Sequence, residues 1–150
     1  MDKQRIQKTL RRAERLCQQR QARLTRQRRT VFELVCAADK PLSAYEILDR
    51  MRAVAPNPAP PTVYRALDFL LQQGLIHKLE TLHAYVGCNH PDKPHASQFL
   101  ICSDCGLVRE IENPAIEQGV AEAEQDTGFI TRRPVVELLG TCARCASEAD

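Results

Sequence analysis

The chain has 150 residues, 43% of them hydrophobic and 27% charged, with a formal net charge of +2. That length admits one domain or two small ones, the apolar share excludes wholesale disorder, and no apolar run approaches the ~18 residues that cross a bilayer. Seven cysteines is an odd number, so a complete disulfide framework is excluded and metal ligation becomes the question.

The charge is divided unevenly. Residues 1–96 carry 17 basic and 9 acidic side chains, and residues 97–150 carry 4 and 10. A basic half that meets a polyanion, joined to an acidic half that does not, accounts for the split; a solvated Arg-rich helix accounts for part of it equally well. The polar, basic start has no apolar signal segment, so a cytoplasmic protein without a membrane partner is expected.

Lys3 to Gln21 reads as a helix, with Ile6, Leu10, Ala13 and Leu16 at helical spacing. Leu24-Thr25 breaks it and offers Thr25 as the next N-cap. Val31, Leu34, Val35 and Ala38 then form one apolar stripe, ending near Asp39-Lys40-Pro41. Ser43 with Glu46 predicts a capping box, with Leu42 and Ile47 as its hydrophobic staple. That third helix is expected to reach about Ala55, before the break Pro56-Asn57-Pro58-Ala59-Pro60-Pro61. A fourth helix, from about Pro60 to Gln73, stops at Gly74. Val63, Ala66, Leu67, Leu70 and Leu71 fall on one side of it, Arg65, Asp68 and Gln72 on the other, with Tyr64 and Phe69 between. Two strands, Leu75–Glu80 and Ala84–Cys88, follow as a hairpin. Helices and then a hairpin are the parts of a winged helix-turn-helix.

Asn89 to Pro94 is polar with two prolines and reads as a hinge. Beyond it Gln98–Cys102 and Leu107–Ile111 read as strands, Asn113-Pro114 opens a helix that ends at Gly128, and Phe129–Leu139 reads as a strand with Pro134 at an edge or bulge. The fold class expected is α+β: an N-terminal winged helix over 1–88, a hinge at 89–96, and a C-terminal α/β domain over 97–150.

Cys102-x-x-Cys105 and Cys142-x-x-Cys145 have the spacing of a tetrahedral four-sulfur zinc site. Two redox Cys pairs are the competing reading, but neither pair has a thioredoxin-like βαβ context. Cys17 and Cys36 lie among apolar helix residues and suit core packing. Cys88 ends the hairpin, ahead of His90 and His95, with His77 on the paired strand and Glu110 past the first Cys pair. A thiolate, two imidazoles and a carboxylate would make a second zinc site, yet on spacing alone a lone His on a strand is more often a surface or hydrogen-bonding residue than a ligand. No nucleophile elbow, phosphate loop or H-E-x-x-H is present, so an enzyme is not expected.

Arg23-Leu24-Thr25-Arg26-Gln27-Arg28, Ser43-Ala44-Tyr45, Pro61-Thr62-Val63-Tyr64-Arg65-Ala66-Leu67, Gly74-Leu75-Ile76-His77-Lys78 and the two Cys pairs together resemble the ferric uptake regulator family of bacterial metal-dependent transcription factors, in order and over essentially the whole chain. Within it the sequence is similar to the subgroup that senses zinc. The resemblance implies a homodimeric repressor of zinc-uptake genes that binds a palindromic double-stranded DNA operator and holds two zinc ions per protomer. It implies Cys102, Cys105, Cys142 and Cys145 as the structural ligands. The sensing ligands it implies are His77, Cys88, His95 and Glu110, with His95 preferred to His90 because it keeps the family's spacing to Cys102. Tyr45, Thr62, Tyr64 and Arg65 become DNA contacts, and Arg23, Arg26 and Arg28 phosphate contacts. Iron- or peroxide-responsive members of the family are the alternative. Iron-sensing members carry a His-His-Asp-His cluster where this chain has Pro94-His95-Ala96-Ser97, and a thiolate at Cys88 selects zinc over ferrous iron.

Overall fold

A computed structural model describes residues 2–55, 57–93 and 95–149. Pro56 of the expected Pro-rich break and Pro94 of the expected hinge lie outside the described residues. The chain divides into two compact units, Met1–Pro94 and His95–Asp150.

The first unit contains four helices, α1 (Lys3–Gln19), α2 (Arg26–Ala37), α3 (Ala44–Val54) and α4 (Pro60–Gln72), then a hairpin of β1 (Ile76–Leu79) and β2 (Ala84–Gly87). α1 is capped by Asp2 and stops two residues short of the expected Gln21, which adopts a left-handed φ of 54°. Thr25 caps α2 through the Arg28 N–H at 3.4 Å. α2 packs against α1, α3, α4 and β2. That central position rotates the expected stripe: Val31, Phe32, Val35 and Cys36 are buried, while Leu34 and Ala38 are only half-buried. The Ser43–Glu46 capping box forms as expected, Glu46 N–H donating to Ser43 Oγ at 3.2 Å and Ser43 N–H to Glu46 Oε2 at 2.8 Å.

The backbone and hydroxyl donors of Ser43 hold the Glu46 carboxyl below the usual carboxylate range. A depressed pKa means that the stabilisation is present above the unfolded value and is lost as pH falls through the folded one. Ser43→Ala is expected to cost about 1 kcal/mol, measured as a lower urea midpoint at neutral pH, and the difference should shrink on acidification. An unchanged midpoint would show that the box contributes nothing to stability.

α4 buries Val63, Ala66, Leu67 and Leu70 and turns Tyr64 and Arg65 outward. Gly74, at a φ of 66° that favours glycine, ends it and feeds the hairpin. Leu42 pairs with Tyr85 through N–H···O bonds of 3.1 and 2.8 Å, adding a short third edge to β1 and β2. α3, α4 and this small sheet form the winged helix-turn-helix.

The second unit contains β3 (Gln98–Cys102), β4 (Val108–Ile111), α5 (Pro114–Thr127), β5 (Val136–Gly140) and α6 (Ala143–Glu148). β3 is central, antiparallel to β4 and parallel to β5. The buried Gln98 amide fixes the start of α5, donating to Asn113 O at 3.2 Å and accepting from Asn113 N–H at 3.0 Å. Asn113 caps α5 through the Ala115 N–H, and Gly128, at a φ of 69°, ends it.

The expected strand over Phe129–Leu139 is corrected. Only Val136–Gly140 pairs, residue for residue, with the five residues of β3. Pro134 lies before the strand rather than at an edge or bulge within it, and the backbone over 129–135 finds no ladder to join. α6 was not anticipated; six residues carry too little periodicity to announce a helix. Among its described residues the unit fully buries only Gln98, Phe99, Ile101 and Cys102, and α5 buries none. A core this small needs further stabilisation from a metal or a partner chain. No helix among the described residues is long and apolar enough to cross a membrane.

Candidate metal centres and nucleic-acid interface

Cys102 closes β3, and the chain turns through Cys105 to Gly106, whose φ of 75° favours glycine. The turn is pinned by Gly106 N–H to Cys102 O at 3.0 Å and Cys102 N–H to Leu107 O at 2.8 Å; Ser103 N–H to Gly140 O at 2.8 Å fastens it to β5. On the other side Cys142 occupies the N-cap of α6, and Cys145 lies in its first turn. The four sulfur atoms lie within 4.8 Å of one another, Cys105 and Cys142 at 3.8 Å. Tetrahedral zinc with Zn–S bonds of ~2.3 Å places its sulfurs about 3.8 Å apart, far beyond a ~2.05 Å disulfide bond. The cluster fits the ion.

Its electrostatics point the same way. Backbone N–H groups of Cys142 and Cys105 pull the Cys102 thiol down to about 6, while hydrogen bonding to Cys142 and Cys105 pushes Cys145 up to about 12. Four crowded sulfurs cannot all carry charge without a cation among them, and a divalent ion deprotonates them together. Arg144, between the last two cysteines, is raised above its usual value by its hydrogen bond to Cys105. It adds a positive charge beside the thiolates, a role that the C-x-x-C spacing gave no reason to expect.

The other expected ligands fall on both units. On the first, His77 lies in β1 opposite Val86, and Cys88 follows β2, its N–H bonded to Leu75 O at 3.0 Å. The hairpin thereby brings the ligand atoms of His77 and Cys88 within 4.8 Å, with His77 Nε2 buried. On the second, His95 Nε2 meets Glu110 Oε1 at 2.8 Å, the two side chains only 9% and 4% exposed. His90 is exposed.

The polar surface of the winged helix carries the remaining candidates. Tyr45, in the first turn of α3, is 71% exposed, and Tyr64 on α4 is 54% exposed. Arg65 is exposed and Thr62 half-buried in the first turn of α4. Arg23 and Arg26 are exposed. Arg28 also holds the fold together. Its guanidinium stacks 3.8 Å from the Phe69 ring centroid and donates to Arg23 O at 2.7 Å. The Phe69 position on the flank of α4 was the only sequence sign of that contact.

Residues 19–138 match the model of the "Ferric uptake regulator family". The chain is 44% identical over 146 residues to the zinc uptake regulation protein of Escherichia coli K12, covering 97% of this chain and 85% of that protein. It is 32% identical over 131 residues to the zinc uptake regulation protein of Mycobacterium tuberculosis H37Rv, covering 83% of this chain and 95% of that one. A solved structure of a zinc uptake regulator complexed with zinc and DNA superposes with a TM-score of 0.91 at 44% identity, over 97% of this chain and 98% of that chain. With the family match spanning most of both units, this chain belongs to the ferric uptake regulator family.

Proposed function

We propose that the chain is a cytoplasmic, zinc-responsive transcriptional repressor of zinc-uptake genes, acting as a homodimer on a palindromic operator and not as an enzyme. The observation that carries this reading is the division of the ligands. One set, all sulfur, is closed within the second unit at tetrahedral spacing. In this reading a second set combines His77 and Cys88 of the hairpin with His95 and Glu110 of the second unit. Two zinc ions per protomer follow, the first structural and the second regulatory. A site that takes ligands from both units can couple metal to their arrangement, which a site inside one unit does less readily. The Cys88 thiolate favours zinc over ferrous iron, in keeping with the relatives named for zinc uptake.

In this reading residues 1–88 bind DNA, 89–96 act as the hinge and 97–150 dimerise. α4 enters the major groove, where the Arg65 fork suits a guanine edge and Tyr64 a thymine methyl or phosphate. Tyr45 and Thr62, at helix starts, and Arg23, Arg26 and Arg28 contact the backbone and set register. Dimerisation through the second unit is supported by its uncovered apolar side chains. Ile130 is 83% exposed and Phe129 69%, and Leu138 and Leu139 are exposed on the edge strand β5. A groove of about 690 Å³ runs beside the Cys knuckles, lined in part by Leu100, Leu107, Leu138 and Leu139.

An operator selected from a random duplex library in zinc provides the test. Zinc is expected to raise affinity for that duplex at least tenfold over chelator, a coupling of about 1.4 kcal/mol. Equal gel-shift affinities in the two conditions would sink the reading. On the same duplex Arg65→Ala should cost about 1–3 kcal/mol at one base position and spare non-specific binding; a uniform loss over all sequences would reassign Arg65 to a phosphate.

A further inference from the structure

The arginines early in the chain are held in two ways. Three are tied to oxygen acceptors: Arg12 pairs with Asp92, Arg29 pairs with Glu14, and Arg20 donates to Gln73 O and Pro91 O. Arg28 is held by a ring. Its guanidinium carbon stands 3.8 Å from the Phe69 ring centroid, its Nη1 donates to Arg23 O at 2.7 Å, and among the described residues no carboxylate pairs with it. A carboxylate neutralises a cation, whereas an aromatic face attracts it and leaves its charge for another partner. Contact through the π-face also spares the N–H donors of the guanidinium, of which Arg23 O engages one group.

Phe69 is placed where such a grip is useful. It is half-buried on the flank of α4, four residues after Arg65 and seven after Thr62. Residues at that spacing lie on one side of a helix, so the ring continues the row that Thr62 and Arg65 begin. Arg28 lies in the first turn of α2, its own N–H held by Thr25 Oγ1, and Thr25 N–H donates in turn to Arg23 O at 3.1 Å. The basic segment Arg23–Arg28 is thereby fastened to α4 through one ring. All of these contacts lie within the first unit.

We propose that Phe69 is a positioning residue for operator binding: it holds the Arg28 guanidinium, and through it the Arg23 carbonyl, in fixed register with Arg65, so that phosphate and base contacts are made by one preorganised row. The inference rests on the DNA contacts given under Proposed function. Phe69 itself needs to touch no nucleotide. An arginine already ordered before binding loses less side-chain freedom on meeting a phosphate, and one ordered beside the base-reading row fixes the register of the helix in the groove.

The test measures operator affinity and its salt dependence for the full chain at saturating zinc. F69L and F69M keep apolar volume without the ring; they are expected to weaken binding about three- to tenfold, the size of one cation–π contact. They should also flatten the slope of log affinity against log salt by about 0.9, one phosphate contact. F69Y restores a ring face and should bind within about twofold of wild type. In an R28A background F69L should add no further loss. Melting temperatures are recorded for every variant and affinities compared well below the lowest of them, because a packing role alone would lower stability without moving the salt slope. Wild-type affinity in both F69L and F69M overturns the proposal, and so does a loss that persists in full in R28A or that F69Y does not restore. R28A separates this failure from that of the DNA-contact reading. If R28A binds as wild type with an unchanged slope, the phosphate assignment of Arg28 is wrong and the proposal falls with it; if R28A is weakened and flattened while F69L and F69M bind as wild type, only the role of Phe69 is wrong.

Discussion

Cys102→Ser is expected to cost the second unit its fold and the protein its dimer. Cys102 contributes a sulfur to the cluster and also accepts the Cys142 N–H at 3.3 Å, so a single substitution loosens both knuckles. No local compensation matches the energy lost. A structural zinc in a small domain is worth ~10–16 kcal/mol of apparent binding free energy. Burying a large apolar side chain is worth ~1.5–3 kcal/mol, and the four described residues that this unit fully buries include only two such side chains, Phe99 and Ile101. The core alone cannot replace the ion. Chelators strong enough to strip the tight zinc should do the same to wild type. Circular dichroism and sedimentation together check the expectation; a folded, dimeric Cys102→Ser protein would show that the four-sulfur cluster is dispensable.

Cys88→Ser is expected to do something different. The residue follows β2 at the open end of the hairpin, bonded to Leu75 through its backbone, and a serine preserves that bond. Cys88 is half-buried and is not among the buried core residues of the first unit. The variant should therefore fold, dimerise and keep the structural zinc while losing zinc-responsive operator binding, a drop of at least tenfold at a zinc level that saturates wild type. Analytical ultracentrifugation and gel shift on one preparation decide it. If Cys88→Ser and Cys102→Ser behaved alike, the division between a regulatory and a structural site would collapse.

The helices of the first unit were legible because their signals are local. Ser43 and Glu46 are three residues apart, Gly74 terminates α4 by its own φ, and of the apolar side expected for α4 Val63, Ala66, Leu67 and Leu70 are buried while Leu71 is half-buried. The buried stripe of α2 sits a little off the expected one because which flank is covered depends on neighbours from distant parts of the chain. Phe32 and Cys36 are covered only once α1, α3, α4 and β2 surround the helix. The error over Phe129–Leu139 has the same origin, since strand limits are set by the partner and β3 offers only five residues. The Cys pairs declared themselves by spacing. His77, Cys88, His95 and Glu110 did not, as residues scattered over 34 positions share no local pattern; it took the family resemblance to single them out. The contacts of Arg12, Arg20 and Arg28 with distant partners were illegible for the same reason, and a run of basic residues gave no sign of which ones carry structure.

The decisive measurement is a zinc titration of chelator-treated protein in which bound zinc per protomer and operator affinity are followed together. Two ions per protomer should bind, and operator affinity should rise at least tenfold only as the second site fills. Full operator affinity at one zinc per protomer, or affinity that ignores zinc altogether, would contradict a regulatory site distinct from the structural one.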